Sequence, residues 1–127
     1  MNDKIRKEIK DMLARVSKEK EYAEILYEKI WSEIIYSYYC TIAYNYNTKF
    51  GITYRTNLTN ELIGINKDAS ASYSMIQNIL LHMIREDGFE IDYSGESTIF
   101  TISVEKINEL IKSDEEKKHT KSKNSKK

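Results

Sequence analysis

The chain has 127 residues with no proline and four glycines, which fits one mainly helical domain with a modest core and argues against a second core. Basic and acidic residues number 20 each, but six lysines and no acid fall in residues 117–127, so residues 1–116 carry 14 basic and 20 acidic side chains, a net charge of −6. The single Cys40 excludes an intramolecular disulfide, and the lack of a signal-like start or of a roughly 20-residue apolar run favours a cytoplasmic protein without a membrane partner.

A long N-terminal helix with a heptad stripe is the first predicted element. Only Glu19 interrupts its apolar positions, which are Ile5, Ile9, Met12, Val16, Ala23, Leu26 and Ile30. A stripe of this spacing, flanked by charged residues, suits knobs-into-holes packing against a second helix. We therefore predict a homodimerisation segment over residues 1–31, with its contact formed by Ile5, Ile9, Met12, Val16 and Leu26. The same spacing also suits a helix lying on its own domain, and residues 18–21 could break it in two.

Apolar and aromatic side chains then spread round the whole helix over residues 30–46. They are Trp31, Ile34, Ile35, Tyr36, Tyr38, Tyr39, Cys40, Ile42, Ala43, Tyr44 and Tyr46. A helix that is apolar on all sides is usually buried, so we predict the central element of the core here, with a subunit contact as second choice. Stacking of single-stranded bases would need interleaved basic residues, and none lies between Glu33 and Thr48.

A short strand and a short helix follow. Residues 52–54 are β-branched or aromatic, which favours a strand, and Thr56 or Asn57 can cap a helix that begins at Leu58. We expect Gly64 to lie just past the end of that helix, where a residue free to adopt a positive φ lets the chain turn.

A longer helix is predicted over residues 70–86, with Asp68 or Ser70 at its start. Its buried face is formed by Ile76, Ile79, Leu80, Met83 and Ile84, which recur at three and four residues. Its polar, nearly uncharged face is formed by Ser70, Ser74, Gln77, Asn78 and His82. Side chains of these types can exchange hydrogen bonds with base edges in a major groove.

A β-hairpin and a final helix complete the chain. Residues 89–93 and 98–102 have strand patterns, and residues 94–97 form a plausible turn between them. Ser103 can cap a helix whose apolar stripe is Val104, Ile107, Leu110 and Ile111. From about Asp114 onward no apolar residue follows, so we predict a disordered, lysine-rich tail over residues 114–127.

The order of elements over residues 52–103 resembles the winged helix-turn-helix family, and more loosely the small winged-helix proteins of crenarchaeal viruses. The resemblance implies a mainly α winged-helix domain over residues 32–113, with a small β-hairpin as its wing, a long N-terminal helix and a C-terminal helix. It also implies that the protein is a sequence-specific regulator of transcription that binds double-stranded DNA as a dimer, in the host cell if the protein is viral.

The resemblance assigns the candidate DNA-binding residues. The family's base-facing positions correspond to Ser70, Ser72, Tyr73, Ser74, Gln77 and Asn78, and residues 94–97 correspond to the tip of the wing. Basic side chains expected near the helix are Arg55, Lys67 and Arg85. The wing departs from the family pattern, because it carries Glu96 where many members carry Arg or Lys.

Residues for catalysis or metal binding are few. His82 and His119 are the only histidines, no pair has metal-ligand spacing, and no phosphate loop or nucleophile motif is present. We expect Glu90 and Asp92 to be ordinary residues on the wet face of the hairpin rather than an acid/base pair. The sequence therefore predicts no enzyme, no metal and no cofactor. The alternative function is a winged-helix protein-interaction module or inhibitor, which would bind another protein through its acidic body.

Overall fold

The computed structural model describes residues 1–44 and 51–125, with side chains up to residue 117. Within these ranges the chain forms four helices and a three-stranded antiparallel sheet. The elements are α1 (Asp3–Ala43), β1 (Ile52–Thr56), α2 (Leu58–Ile65), α3 (Tyr73–Glu86), β2 (Glu90–Ser94), β3 (Ser97–Ile102) and α4 (Val104–Ser125). The prediction of a mainly helical chain with a small β-hairpin is confirmed.

Helix α1 is one continuous helix of 41 residues, about 60 Å long at 1.5 Å per residue. Asn2 caps it, since its side chain accepts a hydrogen bond from the backbone N–H of Ile5 at 2.9 Å. No break occurs at residues 18–21, because lysine and glutamate are good helix formers and α1 contains neither glycine nor proline. The predicted boundary near residue 31 therefore lies in the middle of a helix.

The hydrophobic core lies between α1, α3 and the inner face of the sheet. Ile30 and Ile34 of α1 are buried together with Phe100 at the centre of β3 and with three residues of the predicted α3 stripe, Ile76, Leu80 and Ile84. Ile79 and Met83 of that stripe are half-buried, and Leu81 is buried although the pattern did not include it. Leu26 also belongs to this core, with 4% of its surface exposed, so it packs within its own chain and not at the predicted dimer contact. The heptad pattern does not distinguish packing within the chain from contact in a dimer. One continuous apolar stripe runs along both the exposed start of α1 and the part of α1 that packs on the domain.

The sheet has the order β1-β3-β2, so β1 joins the predicted hairpin as its third strand. In the hairpin Ile91 lies opposite Phe100, and the two-residue turn contains Gly95, whose φ of +60° favours glycine. Side chains alternate along β3: Thr98, Phe100 and Ile102 are buried, and the residues between them face outward.

The last turns of α1 differ from the prediction of an all-round buried helix over residues 30–46, of which Asn45 and Tyr46 lie outside the described residues. Ile30 and Ile34 are buried, but Ile35, Tyr36, Tyr39 and Ile42 expose 61–68% of their surface. The domain covers only one side of α1 here, so composition alone overestimates burial.

Helix α4 begins as predicted, with the Ser103 hydroxyl accepting from the backbone N–H of Lys106 at 3.0 Å. It then continues to Ser125, whereas the sequence predicts disorder from Asp114. The lysine and glutamate residues that follow Asp114 are good helix formers, although no apolar residue lies among them. The apolar stripe of α4 thus indicates where the helix packs, and not where it ends.

Candidate nucleic-acid interface on α3

Helix α3 begins at Tyr73, three residues later than predicted. The helix start is set by Ser72, whose hydroxyl accepts from the backbone N–H of Met75 at 3.3 Å. The chain turns at Ala69, which has a φ of +51°, and not at Gly64, which lies inside α2. Ser70 therefore precedes the helix, on the exposed turn between α2 and α3.

A buried asparagine holds that turn. The side-chain amide of Asn66 donates to the backbone carbonyl of Ala71 at 2.8 Å, and its oxygen accepts from the Ala71 N–H at 3.3 Å. The hydroxyl of Tyr73 donates to the Asn66 carbonyl at 2.8 Å. Tyr73 and Ser72 were predicted as base contacts, but their hydroxyl groups are engaged in fixing the start of α3.

Glu19 joins α1 to the start of α3. Its side chain is buried, and one carboxylate oxygen accepts from the backbone N–H of Ser72 at 3.0 Å. A carboxylate at this place accepts a hydrogen bond from a backbone N–H that has no partner within the helix. Its negative charge also interacts favourably with the positive end of the helix dipole. The sequence showed Glu19 only as an interruption of an apolar stripe. The signal in the sequence was the charged residue at a core position, because a buried charge needs a hydrogen-bonding partner.

The other end of α3 is also tied to α1. The carboxylate of Asp87, the C-cap residue, accepts hydrogen bonds from the Tyr27 hydroxyl and from the indole nitrogen of Trp31, the latter at 2.9 Å. The Trp31 ring meets Phe89 edge to face, with centroids 5.1 Å apart. Helix α3 is thus fixed to α1 by polar contacts at both ends.

Burial raises the pKa of Tyr27 to about 12, and the Asp87 carboxylate adds to this effect. The folded protein keeps this proton between pH 10, the ordinary value, and pH 12. The stabilising contribution is therefore complete below pH 10 and is lost as the pH rises toward 12. Ultraviolet difference titration of the wild type against Tyr27→Phe should show one late-ionising tyrosine. Asp87→Asn should move that ionisation to lower pH, and an unchanged titration would contradict the assignment.

The outward face of α3 carries a row of polar side chains. Ser74, Asn78, His82 and Arg85 are all exposed at spacings of four, four and three residues, which places them along one side of the helix. We name Ser74, Asn78, His82 and Arg85 the α3 row. Within the row, His82 lies 3.0 Å from the carboxylate of Glu86. Ser74, Asn78 and Arg85 are thus sequence-predicted site residues that the structure brings together.

Gln77 lies apart from the α3 row. It is half-buried and lines a hollow of about 420 Å³ between α2, α3 and the hairpin. The other lining residues are Asn57, Leu58, Thr59, Asn60, Tyr93, Gly95, Glu96, Ser97 and Thr98. The hollow contains no basic side chain, and Glu96 is its acidic residue.

The predicted basic residues do not form one cluster. Lys67 lies before the start of α3, and Arg85 lies in its last turn, about 18 Å along the helix axis from Tyr73. Arg55 lies on the outer face of the sheet, opposite Ile99, which in turn lies opposite Asp92. The cations that would contact phosphates are therefore spread over three places on the surface.

The described part of the chain offers hydrogen-bonding groups but no metal centre. Among these residues no three His, Cys, Asp or Glu side chains are grouped so as to hold a metal ion. None of the described helices is long and apolar enough to cross a membrane. The α3 row can donate and accept hydrogen bonds over an open surface. Comparison with protein-family models, with curated proteins and with solved structures finds no match to this chain.

Proposed function

We propose that the protein is a winged helix-turn-helix protein that binds double-stranded DNA and acts as a small transcription regulator. Its supporting features are the element order strand, helix, helix, hairpin after α1 and the sheet order β1-β3-β2. In this arrangement α3 enters the major groove, α2 lies across it, and the hairpin is the wing.

The α3 row is the observation that carries the proposal. Ser74, Asn78 and His82 are exposed, can donate and accept hydrogen bonds, and lie on one side of a helix of 14 residues. An asparagine on such a face can pair with both the N6 and N7 atoms of adenine. Because both ends of α3 are anchored to α1 or α2, little conformational entropy is lost when the α3 row binds DNA.

Phosphate contacts would come from residues around the row. Arg85 is exposed at one end of α3 and Lys67 at the other, while the six lysines of residues 117–127 add a flanking source of positive charge. Nonspecific affinity should therefore depend strongly on ionic strength. Binding of mixed-sequence duplex across a salt series tests this directly, and no binding at low salt would overturn the proposal. A truncation ending at Ser113 then measures the share contributed by the tail.

Asn78→Ala should reduce discrimination between DNA sites, because it removes a side chain that can read a base edge. We expect a loss of about 1–3 kcal/mol at one base pair, with nonspecific binding nearly unchanged. Gln77→Ala should have a smaller effect, since Gln77 is half-buried beside the hairpin. The measurement is competition between selected and scrambled duplexes. Asn108→Ala on the exposed side of α4 is the matched control.

Arg85→Ala tests the phosphate contact in the same assay. It should weaken binding to all sequences alike and lower the slope of log K against log salt by about 1. An unchanged salt slope would remove Arg85 from the interface.

A second candidate function is a winged-helix protein-interaction module. It is favoured by the net charge of −6 on residues 1–116 and by the hollow beside α3, which is lined by Glu96 and by no basic side chain. A basic protein surface would be the matching partner. The salt series separates the two functions, because this second function needs no affinity for duplex DNA.

A further inference from the structure

The first turns of α1 extend beyond the domain. We name residues 3–17 the arm. Every arm residue is exposed except the half-buried Val16, and Ile5, Ile9, Met12 and Leu13 expose 37–58% of their surface. An apolar stripe of this length, about 22 Å at 1.5 Å per residue, is unusual on a surface in contact with water.

The arm stripe is a direct continuation of the buried face of α1. Val16 and Ile9 stand on the same side of the helix as Ala23 and Ile30, which are buried in the core. The covering elements stop near Glu19, so the stripe passes from a packed to an exposed surface within one turn. A partner on the arm would therefore lie in line with the chain's own domain.

The charges that flank the stripe favour one orientation of a second copy. In heptad terms Ile9 and Val16 occupy a positions, and Glu8 and Arg15 occupy g positions. A parallel pair would bring Arg15 next to Lys20 of the second copy, both positive, and Glu8 next to an apolar Leu13. An antiparallel pair instead brings Glu8 of each copy next to Arg15 of the other.

The length of the arm favours nearly the same register. Pairing Glu8 with Arg15 places Ile5 opposite Val16 and Ile9 opposite Met12, with the two-fold axis between residues 10 and 11. The arm covers residues 3–17, so its midpoint lies at residue 10. The axis of this register lies within one residue of that midpoint, so the two arms overlap over all but one residue, and each helix start reaches the second copy near Glu19, where its domain begins.

We propose that two copies of this chain pair through their arms in an antiparallel orientation, with a buried seam of Ile5, Ile9, Met12, Leu13 and Val16 and reciprocal ion pairs between Glu8 and Arg15. The seam excludes Leu26. The pairing does not depend on DNA binding, so a failure of one proposal is distinguishable from a failure of the other.

The first test is the oligomeric state of the full chain without DNA, measured by sedimentation over a range of concentrations. Ile9→Asp should make the protein monomeric, because it places a charge in the middle of the seam. Circular dichroism checks that the helix content is unchanged. A wild type that stays monomeric at high concentration, or an Ile9→Asp variant that stays dimeric, would overturn the proposal.

The second test determines the orientation by charge. Arg15→Glu should raise the dimer Kd roughly tenfold, since two attractive pairs become two repulsive ones. In a parallel pair the same change would remove repulsion from Lys20 and lower Kd. Glu8→Arg should also weaken the dimer, and mixing Glu8→Arg with Arg15→Glu should restore pairing as a heterodimer. Failure of the mixture to pair would rule out the antiparallel register.

The third test determines the register by crosslinking in a Cys40→Ser background. A disulfide requires Cα atoms within about 7 Å, so only facing positions can form one. Mixing Ile5→Cys with Val16→Cys should give the mixed crosslinked dimer, and either variant alone should give little. Efficient crosslinking of Ile5→Cys with itself would indicate a parallel pair and contradict the proposal.

Discussion

Asn66→Ala should lower the free energy of unfolding by about 2–4 kcal/mol, because it leaves two buried backbone groups without partners. The N–H and the carbonyl of Ala71 both bond to the Asn66 side chain, at 3.3 and 2.8 Å. Asn66 is fully buried and Ala71 is 6% exposed, so water cannot replace these bonds in the folded protein. Urea denaturation at one fixed protein concentration measures the loss, since dimerisation would make stability depend on concentration.

The same substitution has a consequence for function. The Asn66 contacts fix the turn before α3, so their loss should loosen the start of the helix and lower the affinity for specific DNA. Asn108→Ala removes the same chemical group from an exposed helix position and should change stability by less than about 0.5 kcal/mol. If Asn66→Ala cost no more than this control, the turn would not depend on the buried amide.

Phe100→Ala should cost about 3–5 kcal/mol, the largest single loss we expect in this protein. Phe100 is completely buried at the centre of β3, between Ile91 and Tyr54 of the flanking strands. Removing its ring leaves a cavity between the sheet and the helices that the packed core cannot close. For a domain with a typical stability of roughly 5–15 kcal/mol, this change brings the protein close to unfolding at elevated temperature.

Tyr93→Ala on the neighbouring strand is the control for Phe100. Tyr93 is 62% exposed, so its truncation should cost less than about 1 kcal/mol. Both variants are compared by urea denaturation. The slope m of the unfolding free energy against urea concentration is compared as well, because a changed m would indicate a change of compactness. Equal losses of unfolding free energy at the two positions would show that β3 is not the centre of the core.

Pairing through the arms and DNA binding through the α3 row are compatible in one complex. An antiparallel arm pair places the two domains at opposite ends of the seam, related by a two-fold axis, and a palindromic DNA site has the same symmetry. A variant that loses the dimer and keeps its fold should therefore bind a single half-site with lower overall affinity.

Much of the local structure could be predicted from the sequence. The start of α2 after Asn57, most of the buried face of α3 and the Ser103 cap all follow from residue types at fixed spacings. Local patterns of this kind depend on neighbours within one or two turns, which are visible in the chain itself.

Several features of the candidate site could not be predicted in that way. Ser72 and Tyr73 have the types of base-reading residues, yet their hydroxyl groups bond to the protein's own backbone around the start of α3. Glu19 lies 53 positions from Ser72 in the chain, and nothing local pairs them. Arg55 has the right charge but lies on the outer face of the sheet.

The presence of the helices, the hairpin and the apolar stripe of α1 could be predicted from the chain alone, because these features arise from periodicity and short-range sterics. Which part of that stripe is core and which part is exposed depends on how the rest of the domain packs. Leu26 and Met12 look equivalent in the chain, but Leu26 is 4% exposed and Met12 is 56% exposed, because full burial on α1 begins only at Glu19. Burial depends on which distant segments pack against a residue, and a repeating pattern along one helix contains no information about where its neighbours stop.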